Sequence, residues 1–384
     1  MNRRQFIAGA AAAAMSARLY AAKSEARFLL VFLRGGYDAA NLLVPASPFY
    51  YESRPNIALP AEALIALDAE WGLHPALRES VHPLYEARQA AFVPFAGTED
   101  LSRSHFETQD SIELSLGPGS RAFGSGFMNR LAAVLGAQAK AISFTAQLPV
   151  AFRGEAPVAN IALAAPRVPR VDARQSALIA SMYEGSSLGT QVSEGFAARE
   201  QVMRDLGDEM QAASRNAVNA RGFQVQAERI ARLMRADYRL GFVDVGGWDT
   251  HVGEGAAAGY LAARLEELGA GLAALADGMG AAWRDTVVVV ISEFGRTFRE
   301  NGNRGTDHGH GTVYWVLGGG VRGGRIVGEQ AKVERAALFQ DRDYPVLNEY
   351  RALLGGLFAR LYGLDAAQVA HVFPGVTARD LTLL

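Results

Sequence analysis

Two short stretches gather side chains able to bind a cation. In "GWDTH", Asp249 and His251 stand two apart, so in an extended segment both side chains leave the same face and can reach one ion. In "GTDHGHG", Asp307, His308 and His310 fall within four residues between glycines, although the whole chain has only seven histidines. Glu293 directly follows "VVVVIS". A carboxylate at the end of a buried strand needs a partner, either a divalent cation or the nearby Arg296, because desolvating it alone is costly. Asp38, just past Gly35 and Gly36, is a turn residue or a further ligand. Each feature has a plainer reading: Asp249 as a helix cap, the histidine loop as a glycine-rich turn, Glu293 as the partner of Arg296.

What brings such residues together is a set of alternating elements. Continuous apolar runs at Phe28–Leu33, "AAFVPFAG", "KAISFTA", "RLGFVDVGG", "TVVVVISEFG" and "VYWVLGGG" read as buried strands. Helical spacing marks "AAGYLAARLEELGAGLAALADGMG" and "NEYRALLGGLFARLYG". Strands alternating with helices predict an α/β fold: a doubly wound, mainly parallel sheet with helices on both faces. The helical stretch at about 166–236 is expected to be an insertion or cap on a single domain covering 24–384. Ligands of open parallel sheets bind beyond the carboxyl ends of strands. That rule sends Asp38, the Ser102–Ser104–His105 group, the Asp249–His251 pair, and Glu293 with Asp307, His308 and His310 to one rim.

Composition limits the chemistry. The chain has 384 residues, 49% hydrophobic and 20% charged, with a net charge of -2, so neither nucleic acid nor an acidic lipid surface is indicated as a partner. With no cysteine, disulfides, thiolate nucleophiles and cysteine metal sites are excluded. The remaining His, Asp and Glu donors suit zinc first, with manganese, calcium or magnesium as alternatives. Residues 1–23, "MNRRQFIAGAAAAAMSARLYAAK", carry Arg3–Arg4 ahead of a short apolar run. They resemble a twin-arginine export signal. The expected setting is therefore periplasmic or otherwise exported, with the twin-arginine machinery as a partner and no membrane-integral form after processing.

"FLRGGYDAANLLVP", "SRSHFETQD", "GWDTH" and "SEFGRTFRENGNRGTDHGHG", in that order, resemble the DUF1501 family, which is similar to a branch of the alkaline phosphatase/sulfatase superfamily. The resemblance implies an alkaline phosphatase-like fold with one or two divalent ions at the strand ends, and hydrolysis of a small-molecule or polymer-borne phosphate or sulfate ester. It implies Asp38, Asp249, His251, Glu293 and His308 as metal ligands, with Asp307 and His310 as ligands or supports. Phe294 stands where that superfamily has a ligating histidine. Ser104, at the start of a helix, is the implied nucleophile, with Ser102 and Thr108 behind it. Arg296 or Arg34 would clamp the anion. The alternative is a catalytically inactive envelope protein that binds or assembles.

Overall fold

The computed structural model describes residues 25–117, 122–163, 218–219 and 222–384. The expected export signal, and 166–217 of the expected insertion, lie outside the described residues. Among the described residues the main sheet has ten strands. Seven are used here: β1 (Arg27–Leu33), β2 (Ala90–Gly97), β3 (Ala141–Ser143), β4 (Val158–Asn160), β5 (Leu240–Gly246), β6 (Thr286–Ser292) and β7 (Thr312–Leu317). They run in the order β2-β7-β6-β1-β5-β3-β4. Among the described residues only β7 is antiparallel to its neighbours; the other pairings in this sheet are parallel. The expected α/β sheet is therefore present, and it is mixed at one position.

β1 sits at the centre, paired with β6 and β5. Its unbroken run of apolar residues follows from burial on both faces. Leu29, Val31 and Leu33 point into one core cluster, and Phe28, Leu30 and Phe32 into the other. Helices cover both sides. Residues of α1 (His105–Leu114), α2 (Phe127–Leu135), α5 (Tyr350–Tyr362) and α6 (Ala366–Val372) join the Phe28 side. Those of α3 (Phe223–Ala236) and α4 (Tyr260–Met279) join the Leu29 side. The described end of the expected insertion, α3, thus packs against α4 over the sheet.

The carboxyl ends of β1, β2, β5 and β6 share one edge, where the antiparallel β7 begins at Thr312 opposite Ala96. Turns leave each strand there. Gly35 (φ +121°) is a tight fit: a Cβ on it would lie 2.9 Å from the Asp249 backbone nitrogen. Glycine therefore lets the loop after β1 pass directly beneath the loop after β5.

Candidate metal centre

At that edge, four side chains from two loops and one helix point inward. His105 is the first residue of α1, Asp249 and His251 follow β5, and His308 lies between β6 and β7. One donor atom from each of His105, Asp249 and His308 falls within 4.8 Å of the other two. His308 Nε2 is 2.9 Å from His105 Nε2 and 3.1 Å from His251 Nε2. Asp249 Oδ1 is 2.9 Å from His251 Nε2 and 3.4 Å from His308 Nε2, while its Oδ2 is 3.5 Å from His105 Nε2.

The other nitrogen of each ring is already engaged. His105 Nδ1 meets Glu293 Oε1 at 2.8 Å, His251 Nδ1 meets Asp307 Oδ1 at 3.3 Å, and His308 Nδ1 meets the Arg103 carbonyl at 3.0 Å. All three partners only accept, so each ring's Nδ1 carries the proton. A neutral imidazole then has only a lone pair at Nε2. Three such lone pairs and a carboxylate face one another, an arrangement that requires a cation among them. Without a metal the cation is a proton. Burial disfavours a charged His105, but its bonds to Asp249 and Glu293 outweigh this and push its pKa up to about 9. With a metal, the His105, Asp249 and His308 donors suit a tetrahedral zinc-type ion: bonds of ~2.0–2.1 Å imply donor separations of about 3.3 Å, near the 2.9–3.5 Å between them. An oxygen bound to the far nitrogen is the usual way a metal-ligating histidine is fixed.

Charge follows the same pattern. Burial opposes ionisation of Asp249, yet its bonds to His105, His251 and His308 and the Arg296 charge hold its carboxyl far below the usual range. Glu293 is fully buried, but His105, together with Gln109, keeps it ionised. It also accepts from the Gly35 N–H at 2.8 Å and the Gln109 amide at 2.8 Å. The side chains of Asp249 and His105 are only 4% and 3% exposed, whereas those of His251 and His308 are 25% and 19% exposed, so the cluster opens on the His251–His308 side.

The structure distributes the expected site residues unevenly. Asp249, His251 and His308 come together. Glu293 and Asp307 stand one step back, each supporting a histidine. His310 does not join: it packs beside the Phe339 ring, and burial and the Arg103 charge depress its pKa to about 4. Asp38 does not join either. It caps the turn at Ala39–Leu42 and forms a two-pronged pair with the wholly buried Arg54. Arg296 is buried, with its guanidinium on Asp249 and on the Thr306 carbonyl and hydroxyl, so it braces Asp249 instead of facing a ligand. Arg34, the other expected clamp, is enclosed by Glu113 and Asp244. Ser104 is the N-cap of α1, its hydroxyl accepting from the Glu107 N–H. Phe294 lies against the His105 and His308 rings and presents carbon to the cluster, as expected of a position without a ligand.

Sequence reasoning placed His105 at the correct rim but chose its neighbour Ser104. The clue to His105 is position: as the first residue of a helix aimed at the edge, its side chain has a fixed direction. Arg54 and Glu254 were missed, because nothing in their local sequence marks them.

Fold and cluster together define an α/β protein with, at the strand ends, a histidine–aspartate cluster whose donor atoms are spaced so that they could hold a metal ion. Residues 25–373 match the model of a family described as Protein of unknown function (DUF1501), and the chain belongs to that family. No curated protein matches it. Among solved structures it is similar to a protein in the alkaline phosphatase superfamily from Vibrio parahaemolyticus. That alignment covers 93% of this chain and 70% of the other at 13% identity, with a TM-score of 0.44. It is also similar to Ps i-CgsB, solved in complex with k-i-k-neocarrahexaose, over 93% of this chain and 75% of that one, at 9% identity and a TM-score of 0.41.

Proposed function

We propose that this protein is an exported, metal-dependent hydrolase of phosphate or sulfate esters with an alkaline phosphatase-like architecture. It works with one zinc-type ion held by His105, Asp249, His251 and His308. The observation that carries this reading is the convergence of three imidazole Nε2 atoms on Asp249, each ring fixed from behind by an oxygen. The nitrogen-rich donor set favours zinc over magnesium or calcium, which take oxygen ligands. One ion is proposed, not two, because Arg54 already neutralises Asp38.

A divalent ion bound there would act as a Lewis acid on an ester oxygen. The chain's own residues would do the rest. Glu293, Asp307 and the Arg103 carbonyl hold the tautomers of the three histidines, and Arg296 fixes the carboxylate. Ser104 is the proposed attacking hydroxyl, at a helix N-terminus where free N–H groups favour negative charge. Among the described residues no helix is long and apolar enough to cross a membrane. Export by the twin-arginine machinery rests on the N-terminal sequence alone.

One observation favours a second reading, an envelope protein that binds metal without turnover: Arg34 and Arg296 are both buried against carboxylates. A panel of phosphate and sulfate esters offered to zinc-loaded protein separates the two. Turnover that disappears in His308→Ala supports the hydrolase. A zinc-loaded protein that cleaves no ester leaves the binding protein.

A further inference from the structure

Glu254 is wholly buried and belongs to no motif noted in the sequence. Its Oε2 accepts from the Thr250 hydroxyl at 2.6 Å and from the Thr306 hydroxyl at 3.1 Å, and its Oε1 from the Asn41 amide at 3.2 Å. It also shares a hydrogen bond with Asp38. Two carboxyl groups can share a hydrogen bond only if one keeps its proton. Arg54 holds Asp38 ionised against the effect of burial, while burial and the Asp38 charge keep Glu254 protonated.

Its hydroxyl partners occupy telling positions. Thr250 lies between Asp249 and His251, and Thr306 lies two residues before His308. The Thr306 hydroxyl also accepts from Arg296 Nε at 3.2 Å, and Arg296 in turn braces Asp249. Backbone bonds join the same two loops, from Gly253 to Asn303, Glu254 to Arg304 and Thr306 to Thr250. None of those three reaches the turn after β1. The Glu254 carboxyl touches that turn, at Asn41, and both loops at once, linking the segments that carry three of the four converging side chains.

We propose that Glu254 is a positioning residue, whose carboxyl accepts from Asn41, Thr250 and Thr306 and thereby sets the spacing of Asp249, His251 and His308. The effect on metal rests on the metal-centre reading above; the effect on the loops does not.

The test measures zinc affinity and site-resolved amide exchange in the full chain, for wild type, Glu254→Ala, Glu254→Gln and Thr250→Val. Glu254→Ala is expected to bind zinc about 10- to 100-fold more weakly, as for loss of a supporting partner, and to exchange faster in both 249–254 and 305–308. Glu254→Gln, whose carbonyl can accept both hydroxyls while its amide loses the Asn41 bond, is expected to recover most of both properties. Thr250→Val keeps the side-chain shape and loses one hydroxyl. It is expected to show a smaller loss in the same direction, and it serves if Glu254→Ala does not fold. The proposal is overturned if the folded Ala and Val variants match wild type in exchange and affinity, or if Gln is as impaired as Ala. Should wild type bind no zinc, the metal reading falls by itself and loop exchange decides the role of Glu254.

Discussion

Two acidic clusters sit at the same edge of the sheet and are built from the same kinds of residue, yet they differ in what neutralises them. Around Asp38 the chain supplies its own cation and proton: Arg54 holds one carboxyl, and Glu254 stays neutral. Around Asp249 the chain supplies one guanidinium, from Arg296, and then adds three imidazoles whose free nitrogens face inward. The first cluster is closed and holds loops together. The second turns three imidazole nitrogens toward one carboxylate and is partly open to solvent. Acidic residues at strand ends therefore do not by themselves mark a metal. Imidazole nitrogens converging on a carboxylate set the second cluster apart.

This contrast can be broken in several ways, and the largest expected effect is on the open cluster. Asp249→Ala removes the carboxylate that all three histidines face, and zinc affinity should fall by more than about 100-fold, beyond the usual loss for a supporting residue. Equilibrium dialysis measures this. On the closed cluster, Arg54→Met strands a buried Asp38 and should cost about 3–5 kcal/mol in chemical denaturation, with zinc stoichiometry unchanged. If that variant bound a second ion, the two clusters would be of one kind and the distinction would fail.

Smaller effects sharpen the account. Glu293→Gln weakens the acceptor behind His105, and zinc affinity should drop by about 10- to 100-fold with little change in far-ultraviolet dichroism. Zinc must also displace the proton on His105, whose pKa is raised to about 9 in the metal-free protein. Apparent affinity should therefore rise roughly tenfold per pH unit up to that pH. The sign for stability follows: the metal-free protein gains from the protonated ring below its unfolded pKa of about 6.5 and loses this as pH climbs through about 9. A metal-free melting temperature that rose over that interval would contradict the assignment. Smallest for stability is Ser104→Gly, which should shift it by only a few tenths of a kcal/mol because glycine also caps helices. If Ser104 is the attacking hydroxyl, the same change abolishes ester hydrolysis.

Much of the scaffold was legible because burial on both faces writes strands as unbroken apolar runs. "TVVVVIS" and "FLLVFL" need no partner information to be read. The reversed direction of β7 was not legible, since a buried antiparallel strand carries the same apolar run. Asp249, His251 and His308 could be found because a topological rule sends strand-end residues to one rim. Asp38 obeys that rule and still faces elsewhere. Its partner Arg54 is sixteen residues away in sequence and looks there like any surface arginine, and Glu254 is one glutamate among glycines and alanines. Rim membership is written in local sequence. Which rim residues neutralise one another depends on loop paths that local sequence does not carry.

The most direct measurement is anomalous diffraction at the zinc edge from crystals of zinc-loaded protein. The account predicts one peak, ~2.0–2.2 Å from Nε2 of His105 and His308 and from a carboxylate oxygen of Asp249, with His251 Nε2 completing the set and no density beside Asp38. A peak beside Asp38 and Glu254, or none among the three histidines, would contradict it.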